Sequence, residues 1–285
     1  MNRNEIIQQY VRINRAFEVA YAPKVQKALH TKTAKVISDL KTGGYDKAIR
    51  NLHTDTGNPA LNKVIAEMYI TVGLKHARIT SRRLLADQKK GLGFNEIWTQ
   101  FVIEYLKRHL LDKITFEVNN TTRDNIMKAL DTGLNSGLGI DGMVDAIKDP
   151  PFERYQAARI VRTEVNRAAN VGATAQESTS EYEQQKEWIA VKDFRTRGQN
   201  PKDHASHIGL NGVKIDSGDL FTDPRNGDKL MFPGDPNASA QSTINCRCQA
   251  AYVNKRDARG ELVKKRKSTV VVYPSQNRKP NAILI

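Results

Sequence analysis

Near residue 182 the chain leaves one set of rules for another. Before that point apolar residues recur at steps of three and four, which predicts helices that each bury one face. Ile6, Tyr10, Ile13 and Phe17 set the pattern in the first segment. Pro23 predicts a break or kink there, because it lacks an N–H and its ring crowds the preceding turn. "KTGG" at 41–44 closes the region. Asn58 and Pro59 read as an N-cap and a first helical residue. The stretch 93–114, with Trp98, Phe101, Tyr105 and Leu110, predicts one strongly apolar helix. A shorter helix follows, capped by Thr121 or Thr122 and stopped at Gly137, and "GIDGMVDAIKD" predicts another. After Pro150 and Pro151 comes a long alanine-rich helix.

Beyond residue 182 the grammar is that of strands and turns. "EWIAVKDF" predicts a strand with Trp188 as its large apolar residue. Arg195 to Ser242 is dense in Gly, Pro, Asp and Asn, which is turn chemistry. "TINCRCQAAYV" (243–253) and "KSTVVVYP" (267–274) are β-branched and apolar, and predict strands. The fold class is therefore α+β: a mainly helical N-terminal region over roughly 1–180, a small turn-rich α+β or β module, and a basic C-terminal tail. A length of 285 residues accommodates one large domain or two ordinary ones. No run approaches the ~18 apolar residues of a membrane span. The first residues lack the apolar core and cleavage site of a secretory signal.

Within the long helix, Arg159, Arg162, Thr163, Asn166 and Asn170 fall near one face, and Ala157, Ile160 or Val161, Val165, Ala168 and Gly172 line another. Glu164 has Arg167 within reach three residues on. The polar face predicts hydrogen bonds to the turn-rich loops, whose packed backbone needs partners; the competing expectation is a partly buried helix with a solvated arginine face. The small residues predict close approach of a neighbouring backbone.

The chain's only cysteines, Cys246 and Cys248, stand one residue apart, and His204 and His207 lie upstream. The four are of the types that converge on zinc. The spacing opposes them: in a strand, residues two apart share a face but sit ~6–7 Å apart, so the segment must bend to bring both sulfurs to one ion. The competing expectation is two small buried cysteines on one strand face and ordinary loop histidines. A deaminase needs H-x-E with P-C-x-x-C, which is absent. An HNH-like metal-dependent nuclease finds Asp203, His204 and a later Asn237, but no histidine follows that asparagine, so the set is incomplete.

The net charge is +14, which favours a polyanionic partner, most simply nucleic acid. Half of it lies after residue 252, where Lys255, Arg256, Arg259, Lys264, Lys265, Arg266, Lys267, Arg278 and Lys279 oppose only Asp257 and Glu261. "VKKRK" carries no turn or cap signal and is expected to conform to a nucleic-acid backbone without sequence preference.

Four strings in order resemble the phage Mu F-like head morphogenesis family, the minor head proteins of tailed phages. They are "ARIVRTEVNRAANVGA", "EWIAVKDFRTR", "HIGLNG" read as His-x-x-Leu-x-Gly, and "FPGDPNAS…TINCRC". The longer "GQNPKD" before the histidines departs from the pattern. The matching positions include Arg162, Glu164, Asn166, Trp188, Leu210 and Gly212. The resemblance implies a module at 140–253, followed by a basic tail at 254–285. The helical region at 1–139 carries no motif of the family, and its amphipathic helices make it either a surface for docking on the portal or capsid interior or a self-contained bundle. The resemblance implies a minor head protein inside the capsid, associated with the portal, acting in head morphogenesis and in DNA packaging or ejection. It implies a structural role and no catalytic residues; zinc, argued from the cysteines and histidines, is the one candidate cofactor. Its partners would be portal protein, capsid interior and packaged double-stranded DNA, with no membrane. Its place would be the virion, and the host cytoplasm during assembly. The alternatives are an HNH-like nuclease and a simple DNA-binding module.

Overall fold

In a computed structural model the described residues are 2–55, 57–85, 95–109, 111–148 and 151–265. The first helix, α1 (Arg3–Thr54), opens on a capping box in which Asn2 and Glu5 satisfy each other's backbone N–H groups. It runs straight through Pro23. The expected break is thus displaced: helical geometry fails at Gly44, where φ is 73°, a value that suits glycine. Proline removes one hydrogen bond, and Tyr21, Val25 and Leu29, buried on either side of it in one core, hold the helix together there.

Next come α2 (Pro59–Leu85), α3 (Asn95–His109), α4 (Leu111–Asn135), α5 (Ile140–Lys148) and α6 (Pro151–Ser178). Asn58 caps α2 as expected, accepting from Leu61 N at 2.9 Å. The 93–114 stretch is divided between α3 and α4. Thr121 and Thr122 lie inside α4 and cap nothing. Their hydroxyls donate back to the carbonyls of Glu117 and Val118, a bond open to threonine within a helix. Gly137, with φ 72°, ends α4 as expected.

The core is built around α6. Val161, Val165 and Ala168 of α6 share one apolar cluster with Leu29 of α1, Tyr69 and Val72 of α2, Trp98 and Val102 of α3, and Val118 of α4. A Cβ added to Gly172 would sit 2.0 Å from the Gly73 carbonyl oxygen. The small face of α6 therefore admits the α2 backbone itself. A second cluster joins the far half of α1 to α4 and α5 through Leu40, Leu52, Ile126, Leu130 and Ile147.

After α6 the chain forms β1 (Gln184–Ile189), α7 (His207–Leu210), β2 (Lys214–Asp216), β3 (Phe221–Thr222), β4 (Lys229–Leu230), α8 (Ala240–Thr243) and β5 (Gln249–Asn254). β1 is the central strand of an antiparallel sheet ordered β2-β1-β5, and β3 pairs with β4. β1 sets Trp188 opposite Ala250 and Lys186 opposite Tyr252. The strand expected from residue 243 begins only at Gln249. Before it the chain turns through Asn245 at φ 58°.

The first part of the basic tail is docked on this sheet. Val263 O accepts from Glu183 N, and Lys265 N donates to Glu181 O, both at 2.8 Å. "VKKRK" is therefore fixed in its first three residues, because the edge beside 181–183 offers them backbone partners. Residues 266–285, with Arg266, Lys267, Arg278, Lys279 and the strand expected at "KSTVVVYP", lie outside the described residues.

Candidate metal centre

Three of the four candidate ligands meet. His207 Nδ1 lies 3.6 Å from Cys246 Sγ and 3.6 Å from Cys248 Sγ. The three donor atoms all lie within 4.8 Å of one another. Donors at zinc bond lengths on a tetrahedron stand about 3.6 Å apart, so the nitrogen–sulfur separations fit. The segment bends as the spacing argument required. The left-handed Asn245 turns the chain just before the cysteines, so they are not carried on a flat strand. His204 does not join them: it sits in an exposed part of the loop, outside the cluster. The three-residue step to His207 is not one helical face, because α7 starts only at His207, capped by the Ser206 side chain.

The trio is sealed. His207, Cys246 and Cys248 are all buried, together with Trp188, Leu210, Phe221 and Leu230. The Trp188 ring stands edge-on to His207 with centroids 5.1 Å apart. His207 Nε2 is buried with no hydrogen-bond partner. Burial opposes ionisation of Cys246, but the Cys248 thiol and His207 outweigh it and hold the Cys246 pKa well below a thiol's ordinary value. The hydrogen bond to Cys246, followed by burial, drives Cys248 the other way. Two thiols and an imidazole held this close are a donor set that suits a soft cation, which binds thiolate sulfur and neutral imidazole nitrogen.

The His-x-x-Leu-x-Gly string now has a physical account. His207 reaches the thiols and Leu210 enters the Trp188 core. Gly212 takes φ 86° and donates its N–H to the Trp188 carbonyl at 2.7 Å. A side chain at Gly212 would strain that turn.

Arg247, between the cysteines, points away from them. Its guanidinium grips Asp193 with two bonds of 2.5 and 2.6 Å. That grip holds the Asp193 carboxyl down at about 2. It also ties the loop after β1 to the cysteine segment, a pairing that sequence reading missed. Both residues lie in the quoted strings, but nothing in one sequence links positions 54 apart.

Arg162, Thr163 and Asn170 of the polar face of α6 bond the loops as expected, whereas the Asn166 side chain does not. Asn170 donates to the carbonyls of Pro233 and Cys248 and accepts from Ala250 N at 2.9 Å. Thr163 accepts from Asn245 N at 3.0 Å, and Arg162 donates to Asn245 Oδ1 at 3.2 Å. Arg167 donates to the Gly234 carbonyl at 2.7 Å and pairs with Glu164, which also accepts from the Tyr69 hydroxyl at 2.6 Å. Burial works against the Arg167 charge, but Glu164, Tyr69 and Tyr105 together outweigh burial and raise the pKa.

Residues 124–251 match the family model described as Phage Mu protein F like protein. That segment, a little under half of the chain, is similar to this family. The match begins inside α4 and ends in β5, so it takes in α6, the interlock and the trio. The resemblance carried by the four strings holds over this stretch. A curated relative is the uncharacterized protein YqbB of Bacillus subtilis (strain 168), 27% identical over 128 residues, which is 45% of this chain. The matched stretch spans 40% of that protein's length. No solved structure matches.

Two members of the nuclease set bond within their own loops. Asp203 accepts from the N–H groups of Gly198 and Asn200, and Asn237 donates to Asp235. Each serves its own turn. Among the described residues, the cluster of histidine, cysteine and carboxylate side chains with metal-ligand geometry is His207, Cys246 and Cys248.

Proposed function

We propose that this chain is a minor head protein of a tailed phage, internal to the capsid and associated with the portal. In this reading it acts in head morphogenesis and in packaging or ejection of DNA. The observation that carries the reading is the Mu F-like match over α6 and the module it locks together. None of the described helices is long and apolar enough to cross a membrane, which agrees with a place in the virion. The helical region 1–139 would dock on the portal or capsid interior, 140–253 would be the family module, and the tail from 254 would touch packaged double-stranded DNA without sequence preference. Mass spectrometry of purified heads, with co-sedimentation of the chain and its portal protein, tests the reading. Recovery in heads and with portal in the absence of DNA is expected. Absence from heads, or sedimentation only with DNA, overturns it in favour of a DNA-binding module.

The trio is proposed as a zinc site of three protein ligands that pins α7 to the cysteine segment. Elemental analysis of the purified chain is expected to find one zinc per chain, lost in Cys246→Ser. Metal-free protein whose melting temperature is unmoved by added zinc overturns the assignment.

A further inference from the structure

A cavity of about 300 Å³ opens between the first half of α1, α6 and two loops of the module. Four arginines from four places line it: Arg15 on α1, Arg162 on α6, Arg195 after β1, and Arg247 between the cysteines. Glu18 and Asn166 line it too. We propose that this cavity binds a phosphate group.

The charges in its wall do not balance. Arg15 pairs with Glu18 at 3.1 Å. Asp193 serves two arginines, Arg247 closely at 2.5 Å and Arg195 at 3.7 Å. Arg162 bonds to a neutral amide, Asn245 Oδ1, and among the described residues no carboxylate pairs with it. Four cations thus face two carboxylates. Arg167, on the same helix, is by contrast paired with the Glu164 carboxylate.

Asn166 supplies the second, independent observation. It is 2% exposed, and neither its side-chain oxygen nor its nitrogen has a hydrogen-bond partner. The large majority of buried side-chain polar atoms in folded proteins have a partner, and among the described residues Asn166 is the buried amide that leaves both of its polar atoms unpaired. One turn further along α6, Asn170 uses both of its polar atoms. An unpaired amide and an arginine without a carboxylate, both lining one cavity, mark a place where an outside group completes the bonding.

The chemistry selects phosphate. Guanidinium forks converging from separate elements match an oxyanion with oxygens on several sides, whereas a carboxylate offers two oxygens in one plane. The volume, about ten waters' share of liquid, admits a phosphate with part of what it is attached to. The alternation in Cys-Arg-Cys also gains a purpose, with sulfurs toward His207 and the cation toward the cavity. The proposal does not depend on where the protein works.

Isothermal titration of the full chain with inorganic phosphate, against chloride at equal ionic strength, tests it. Saturable one-site binding is expected, weakened at least about tenfold in Arg162→Gln, whose lost bonds to a charged partner are worth that much. Arg15→Gln, on an exposed stretch of α1, gives a second variant should Arg162→Gln fold poorly. Arg159→Gln, on the same helix but lining a different cavity, is expected to bind as the parent does. A short DNA duplex that competes for the bound phosphate assigns the site to a phosphodiester backbone, and a duplex that fails to compete assigns it to free phosphate. Binding no stronger than chloride explains, or equal binding by both arginine variants, overturns the proposal.

Discussion

The helical region and the turn-rich module are held together by opposite means. Around α1, α2 and α3 the contacts are apolar: Leu29, Leu61, Ile65, Met68 and Val102 are almost wholly buried in one cluster. The module's small core is joined by aspartates that gather backbone N–H groups. Asp223 accepts from Ser206, Arg225 and Asn226. Asp235 accepts from Met231 and Asn237, and Asp228 accepts from the Ser239 N–H and from the side chains of Ser242 and Asn226. A segment with little regular structure leaves its backbone groups without ladder partners, and short acidic side chains supply them. α6 belongs to both worlds, with an apolar side toward α2 and a hydrogen-bonding side toward the loops.

The comparison is broken most severely at the joint. Glu164→Ala leaves Arg167 buried without its carboxylate, and removing one member of a buried pair costs about 3–5 kcal/mol. The double variant Glu164→Leu with Arg167→Met is expected to recover part of that loss, because no uncompensated charge remains. Urea unfolding of the three proteins measures it. A double variant as unstable as Glu164→Ala would show that the Tyr69 and Gly234 bonds matter more than the ion pair.

Next in size is Asp223→Asn, which keeps the shape and changes one oxygen into a donor. Ser206 N bonds to both carboxylate oxygens, at 3.0 and 2.8 Å, so an amide group must face an N–H. A loss of about 2–3 kcal/mol is expected. Hydrogen exchange should rise in 196–243 and stay unchanged in α2. Uniform acceleration in both would mean that the module has no cooperativity of its own.

Two buried bases, one in each region, sharpen the contrast through pH. Burial holds the His76 imidazole, packed against Asn14, down at about 3. Burial likewise pushes the Lys186 ammonium down to about 7. In both cases the folded value is depressed, so the unfolded chain binds the proton first as pH falls. Stability is fully present above the unfolded pKa and is lost toward the folded one. For Lys186 that window runs from about 10.5 to 7, and for His76 from about 6.5 to 3. The slope in each is at most about 1.4 kcal/mol per pH unit. Lys186→Met is expected to flatten the upper window alone, in melting temperatures measured across pH. An unchanged slope there would mean that the ammonium reaches water in the folded state.

The apolar half of this architecture was legible because period alone encodes it. Ile6, Tyr10, Ile13 and Phe17 mark α1 without reference to any other segment. Local signals misled where packing overrode them: Pro23 sits inside a continuous helix, and Thr121 and Thr122 bond to their own preceding turn. The site was legible in residue type and only partly in position. Cys246, Cys248 and His207 meet around Trp188, but His204 does not, since nothing in "DHASHIG" says where α7 begins. The Asp193–Arg247 clasp and the unpaired Asn166 depend on which loop lies over which helix, and no periodicity carries that.

The smallest effect concerns the tail, where charge count and charge availability part company. Lys255 pairs with Asp216 at 2.9 Å and with Glu183 at 3.4 Å. Lys265 pairs with Glu177 at 2.9 Å, and Arg259 lies 3.7 Å from Asp257. These cations already face carboxylates, so they release few counterions on meeting a phosphate. Lys255→Gln should change the log–log salt slope of duplex binding by much less than the ~0.9 of a full phosphate contact. It should change stability by under about 1 kcal/mol, as surface pairs do. Truncation after Lys265 removes Arg266, Lys267, Arg278 and Lys279. If each meets a phosphate, the slope falls by about 3–4. A salt titration of both variants decides between them. A slope that survives truncation but drops in Lys255→Gln would move the DNA contact from the tail's end onto the sheet edge where its beginning is docked.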